Sequence, residues 1–341
     1  MQCLLSITKR YDTVNQSAIL SCILQQLRQQ ILESAPNANI IFINKEYEEF
    51  SAIRTSEDLS AYIIPRLHPD VTNYLFIDEV QDIQGFEHTL RSLQAQDSCD
   101  IYITGSNATM LSSELSTYLA GRYIEFHIHS LTYQEYLTFH RVEASTQSLR
   151  NYLTFGGLPY LSNLPQQQEI VFEYLGNVFS TILLKDIVKR EGIRNVDFLE
   201  SLVLYTADNV GNLFSANNIS RFEDLGLRNC HLGFNLQRDI HKLIENAVYL
   251  HLLHCRFEVF TGQQSGGREV DFVARRGDMI IYIQATYLLS DDTTRQREFG
   301  NLLAIRNNYP KYVVSLDEWT SGSITDGIQH LHLATFLQMD L

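Results

Sequence analysis

The stretch YLFIDEV (74–80) decides the reading of this chain. Four apolar residues, Tyr74 to Ile77, run straight into the paired carboxylates Asp78 and Glu79. A short unbroken apolar run of this kind suits a strand covered on both faces, and the carboxylates mark where it leaves the core. Working outward, comparable runs occur at Cys3–Ile7, Asn39–Ile43, Asp100–Thr104 and Tyr123–Ile128. Between Ser17 and Leu32, the residues Ile19, Leu20, Ile23, Leu24, Leu27 and Ile31 recur at helical spacing. Strands alternating with helices predict an α/β domain with a parallel sheet covered by helices.

In a parallel sheet of this type ligands gather at the carboxyl ends of the strands, where Asp78 and Glu79 stand. Their order matches the Walker B pattern of nucleoside triphosphatases. There the first carboxylate holds Mg²⁺ and the second polarises the attacking water. The following run, DIYITGSN (100–107), ends in Ser106 and Asn107. Asn107 is read either as a polar group facing a terminal phosphate or as part of a helix cap after Gly105. Gly121-Arg122 opens the fifth run, and Arg122 is read either as a finger toward a neighbouring subunit's nucleotide or as a solvated strand-end charge.

A phosphate loop of the form GxxxxGK[ST] is missing. Glycines let backbone N–H groups approach phosphate, and a lysine neutralises it. No glycine precedes Gly85, and Lys9 and Lys45 are the only lysines before Asp78. The segment in the loop's place is TKRYDTVNQSAIL (8–20), in which Lys9 and Arg10 could still supply charge near a phosphate. Thr13 and Gln16 also have capping-box spacing.

From Leu131 to Tyr205 the periodicity is helical, with GGLP (156–159) as a turn. Residues 211–240 look irregular. An apolar helix at 243–253 then precedes the strand-like runs RFEVFT, EVDFVA, MIIYIQAT and KYVVSL. In REVDFVARRGDMIIYIQAT (268–286), Asp271 and Gln284 fall on adjacent hairpin strands, with Glu245 on the preceding helix. This is the layout of a restriction-endonuclease-like site in which carboxylates hold Mg²⁺. The position of the assisting lysine is Thr286, so cleavage is not expected. The histidine pairs 127/129, 251/254 and 330/332 lack a third metal ligand and read as structural.

The 341 residues suit two or three domains of ordinary globular composition, 45% hydrophobic and 19% charged. The formal charge of -14 disfavours broad binding to nucleic acid. The first 135 residues hold 8 basic against 17 acidic side chains, a net of -9, which leaves -5 for the remainder. Five scattered cysteines argue against a disulfide framework. No apolar run reaches the roughly 18 residues of a membrane span, and a cytoplasmic, soluble protein is expected.

LFIDEVQ, DIYITGSN, LTYQEYL, YLTFGGLP, LLKDIV, DLGLRN, LIENAVYLHLL and EVDFVARRGDMIIYIQATYLL occur in this order along the chain. The string resembles a bacterial and archaeal family of AAA+-type ATPases joined to a restriction-endonuclease-like domain of unknown function. The resemblance implies ATP and Mg²⁺ as cofactors, Asp78 as the Mg²⁺ carboxylate, and catalytic roles for Glu79, Asn107 and Arg122. It implies a vestigial metal site at Asp271, Glu245 and Gln284. It also implies domains at 1–130 (AAA+-like), 131–222 (helical lid and linker) and 223–341 (nuclease-like). The family's loop resembles GVRRCGKSTLL, against RYDTVNQSAIL here, so the resemblance puts Asn15 and Gln16 in place of its phosphate-binding Gly and Lys and keeps only Ser17. Its winged helix-turn-helix is missing, because FSANNISRF runs straight into EDLGLRN. The expectation is a weakened or lost ATPase, or else an interaction protein that keeps only the fold. Its partner would be another protein or a second copy, without specific DNA binding.

Overall fold

In the computed structural model, residues 4–8, 16–105, 122–181, 199, 224–231, 236–263, 268–289, 292–318 and 321–341 are described. Contact clustering divides the chain into one unit of residues 1–129 with 181–186, and another of 130–180 with 187–341.

The first unit contains β1 (Leu4–Thr8), α1 (Gln16–Ser34), β2 (Asn39–Asn44), α2 (Ser56–Ile63), β3 (Asn73–Asp78), α3 (Phe86–Ala95), β4 (Asp100–Gly105) and β5 (Tyr123–His127). The strands form one parallel sheet in the order β2-β3-β4-β1-β5. The expected fold class therefore holds for this unit. Leu75, Phe76 and Ile77 of β3 are fully buried because both faces are covered. Phe76 packs with Leu20 and Leu24 of α1. Leu75 and Ile77 pack with Leu59 and Ile63 of α2 and Leu90 of α3. The chain starts α2 with a capping box in which Thr55 and Asp58 satisfy each other's backbone N–H groups. Because every strand is parallel, the carboxyl ends of β2, β3 and β4 lie side by side, with Asn44 in register with Asp78.

The second unit begins with α4 (Tyr133–His140), α5 (Thr146–Phe155) and α6 (Gln168–Thr181). It continues with α7 (Leu225–His231), α8 (Leu236–His254), β6 (Glu258–Gln263), β7 (Glu269–Arg276), β8 (Met279–Ala285) and α9 (Asp292–Leu303). It ends with β9 (Lys311–Ser315), β10 (Ile324–Thr325), β11 (Ile328–His332) and α10 (Leu333–Phe336). Its mixed sheet has the order β10-β11-β9-β8-β7-β6. Strands β6, β7 and β8 are antiparallel neighbours, whereas β8, β9 and β11 run parallel.

Helices α4 and α5 pack on the C-terminal sheet and its leading helix. Tyr133, Tyr136, Leu149 and Tyr152 share one apolar core with Leu243 of α8, Phe272 of β7 and Ile283 of β8. The segment 211–240, read as irregular, contains α7 and the start of α8. Asp224 makes α7 possible by accepting the N–H groups of Gly226 (2.9 Å) and Leu227 (3.0 Å). Its other oxygen accepts Gly157 N–H at 2.7 Å. Asn229 of α7 donates to the carbonyls of Leu153 (2.9 Å) and Thr154 (3.0 Å) at the end of α5. GGLP and DLGLRN are thus two halves of one interlock. A Cβ on Gly226 would fall on the carbonyl oxygen of Phe155, which explains the glycine. The segment 201–223, where a helix-turn-helix is expected to be missing, lies outside the described residues.

Candidate functional site at the carboxyl ends of the parallel strands

Asp78 closes β3 with no solvent exposure. One carboxylate oxygen, Oδ2, accepts the Ser21 hydroxyl of α1 and, at 2.9 Å, the Asn44 amide of β2. The other, Oδ1, accepts the Thr104 hydroxyl of β4. Three neighbouring elements are therefore tied to β3 through one side chain. The main chain adds Lys45 N–H to Asp78 O at 3.2 Å. Burial raises the pKa of Asp78, against the opposing effect of the bonds from Ser21 and Thr104.

Glu79 turns the chain out of the sheet in a left-handed conformation (φ 55°, ψ 53°). Such a conformation costs a non-glycine residue about 1–2 kcal/mol. Its N–H reaches Thr104 Oγ1 at 3.3 Å, and its carboxyl accepts the Gln81 side-chain amide. Burial first, then the negative charges of Asp78, Glu46 and Asp82, push its pKa up from 4.5 to about 7. The nearby Lys45 spends its ammonium on the carbonyls of Phe50 (2.5 Å) and Ile53 (2.6 Å).

The other expected site residues are distributed differently. Gln16 and Ser17 open α1, with Ser17 one turn before Ser21. Asn15 and Asn107 lie outside the described residues. Arg122 is exposed and precedes β5, at the amino end of the sheet, whereas Asp78 stands at the carboxyl end. Its carbonyl accepts the Gln94 amide at 2.7 Å.

In the second unit, β7 and β8 bring Asp271 and Gln284 directly opposite each other. Gln284 Nε2 donates to Asp271 Oδ1 at 3.2 Å, and Ala285 N–H donates to Oδ2 at 2.7 Å. The remaining amide oxygen of Gln284 is buried without a hydrogen-bond partner among the described residues. Thr286 is buried in the expected lysine position. Glu245 is half-buried on α8, the helix packed against β6, β7 and β8. Among the described residues, no three His, Cys, Asp or Glu side chains gather as a metal would require. The basic side chains nearby are engaged: Arg275 pairs with Glu258 at 2.7 Å and Arg297 with Glu298 at 2.6 Å. Three histidines of the pairs 251/254 and 330/332 bond to the fold around them. His254 bonds the Ser130 carbonyl, His330 bonds Ser315, and His332 caps α10.

Residues 21–137 match the family model of an AAA domain. The N-terminal unit is AAA-like. Residues 146–237 match a domain of unknown function, a stretch that ends before β6, the first strand of the C-terminal sheet. An uncharacterized protein of Haemophilus influenzae is 28% identical, covering 93% of this chain and 91% of its own. An uncharacterized protein of Methanocaldococcus jannaschii is 30% identical over 51% of this chain and 41% of its own. The solved structure of RuvB from Thermotoga maritima aligns with 78% of this chain and 83% of its own, at 14% identity and a TM-score of 0.33.

The AAA likeness implies Mg²⁺ and ATP, and the donor set at Asp78 tests that implication. Three side-chain donors already occupy the buried carboxylate, Glu79 is bonded to Gln81, and Lys45 is held by two carbonyls. Mg²⁺ prefers an open carboxylate beside water and phosphate oxygens in near-octahedral array. The described residues do not fit that group. The residues that hold Asp78 in the AAA-like unit are Ser21, Asn44 and Thr104, none of which the sequence reading singles out. The signal available was positional: Asn44 and Thr104 are polar residues at the ends of apolar strand runs, and Ser21 interrupts an apolar helix face. No helix among the described residues is long and apolar enough to cross a membrane.

Proposed function

We propose that this protein descends from AAA+-type ATPases and has weakened or lost ATP binding and hydrolysis. The observation that carries the reading is the enclosure of Asp78. A carboxylate spent on holding α1, β2 and β4 to β3 is a structural bolt, and the segment before α1 has no glycine and carries Gln16 where a phosphate cradle has its lysine. Glu79, with a pKa of about 7, is also a weak anion for polarising water at neutral pH. A phosphate-release assay with Mg·ATP tests this. The expected turnover is indistinguishable from that of Glu79→Gln; hydrolysis abolished by Glu79→Gln would overturn the proposal.

The same enclosure favours a second reading, a cytoplasmic interaction protein that uses the fold as a scaffold for a protein partner or a second copy. For the C-terminal unit, the order helix, three antiparallel strands, helix and parallel strand supports a restriction-endonuclease-like domain. Gln284 and Thr286 deprive it of a second anion and of an ammonium, so we read it as non-cleaving.

A further inference from the structure

The parallel strands β8, β9 and β11 end at a cavity of about 640 Å³ in the second unit, a size that suits a small ligand. The crevice outside the carboxyl ends of parallel strands is where α/β sheets take ligands. Here Tyr287 and Leu288 past β8, Leu316 and Glu318 past β9, and His332, the last residue of β11, form one side. The opposite wall is a face of α5, with Thr146, Leu149, Arg150 and Leu153 at helical spacing. Asp271, Gln284 and Glu245 do not line it.

The wall is mainly apolar, through Leu149, Leu153, Ile240, Leu288 and Leu316, but it carries one cation and one anion that do not pair. The Arg150 guanidinium is exposed and has no hydrogen-bond or ion-pair partner among the described residues. Among the described residues, the exposed Glu318 carboxylate accepts a hydrogen bond from the Thr146 hydroxyl alone, at a long 3.4 Å, and its charge also acts on His332 of the same cavity. A third polar group is directed by the fold. His332 Nδ1 accepts the Ala334 N–H at 3.2 Å, so in the neutral ring Nε2 carries the proton and is a donor.

We propose that this cavity binds a small apolar zwitterion, a free apolar α-amino acid or a short apolar peptide with both ends free. The carboxylate goes to Arg150 and the His332 Nε2–H, the ammonium to Glu318, and the apolar side chains to the leucine-lined wall. A guanidinium and a carboxylate left apart in one apolar pocket match a ligand carrying both charges. Purely anionic or purely cationic ligands leave one of the two groups facing like charge. This inference is independent of the reading of the AAA-like unit.

The test is calorimetric titration of the full chain with L-leucine, L-phenylalanine, Leu-Phe and Phe-Leu, together with their N-acetyl and C-amide forms. At least one of the four unblocked probes is expected to bind with a Kd below about 1 mM. Blocking either end, or the exposed-site variants Arg150→Gln and Glu318→Gln, should each weaken that probe by about tenfold or more. Absence of binding by all four probes at millimolar concentration would overturn the proposal. So would binding that is indifferent to end-blocking or to both variants.

Discussion

Asn44, closing β2, donates to Asp78, closing β3, at 2.9 Å, and the two residues are register partners in the parallel sheet. With Ser21 and Thr104 on the same carboxylate, the end of β3 is clamped from three sides. Removal of Asp78 leaves three donors facing a cavity. Asp78→Ala is therefore expected to destabilise the protein by about 3 kcal/mol or more, since each orphaned buried group costs roughly 1–3 kcal/mol. Asn44→Ala should cost about 1–2 kcal/mol. Urea denaturation of the variants measures both. A loss under about 1 kcal/mol for Asp78→Ala would contradict a clamping role.

Glu79 gives the protein a stability that depends on pH. Its carboxyl titrates near 4.5 when unfolded and near 7 when folded, so between those values the folded state binds the extra proton. This contribution is fully present below about pH 4.5, declines as pH rises, and is gone above about pH 7. The interval corresponds to roughly 3 kcal/mol at most. Glu79→Gln should flatten the slope and gain stability relative to the parent at pH 8. Denaturation series at several pH values compare the two proteins, and parallel curves would refute the assignment.

The interlock of α5 and α7 rests on Asn229, whose amide caps two carbonyls at once. Asn229→Ala should destabilise the second unit by about 2 kcal/mol. Amide exchange at the Gly156–Gly157 turn should accelerate, because the bonds tying α7 to the end of α5, just before that turn, are lost. Unchanged exchange there would show that the two segments are held by other contacts.

Plasmid, linear duplex and single-stranded DNA should all survive incubation with the protein and Mg²⁺ or Mn²⁺. The Asp271–Gln284 pair offers one carboxylate, and Thr286 has no ammonium to assist a water. Cleavage that disappears in Asp271→Ala would reverse this conclusion.

The parallel sheet was legible because its strands are short apolar runs separated by helical spacing. The five strands lie within a residue or two of the runs from which they were read. The facing of Asp271 and Gln284 was legible too, since hairpin register follows from alternation and spacing. Helix α7 was hidden because its glycine and asparagine residues look like loop chemistry. Its start depends on Asp224, and its Gly226 is demanded by a carbonyl of α5 some seventy residues earlier. The ring of donors around Asp78 was equally hidden. Ser21, Asn44 and Thr104 come from three separate elements, and only the strand order β2-β3-β4 brings them to one carboxylate.

The central claim is that the AAA-like unit has ceased to hold nucleotide well, and calorimetric titration of the unmodified chain with Mg·ATP tests it most directly. A segment before α1 with no glycine, and with Gln16 where the cradle's lysine would stand, together with a carboxylate already occupied by three donors, leaves phosphate charge poorly matched in a region that is itself net -9. The account predicts a Kd no tighter than about 1 mM, or roughly -4 kcal/mol. Micromolar affinity that disappears in Asp78→Asn, with that variant still folded, would contradict it.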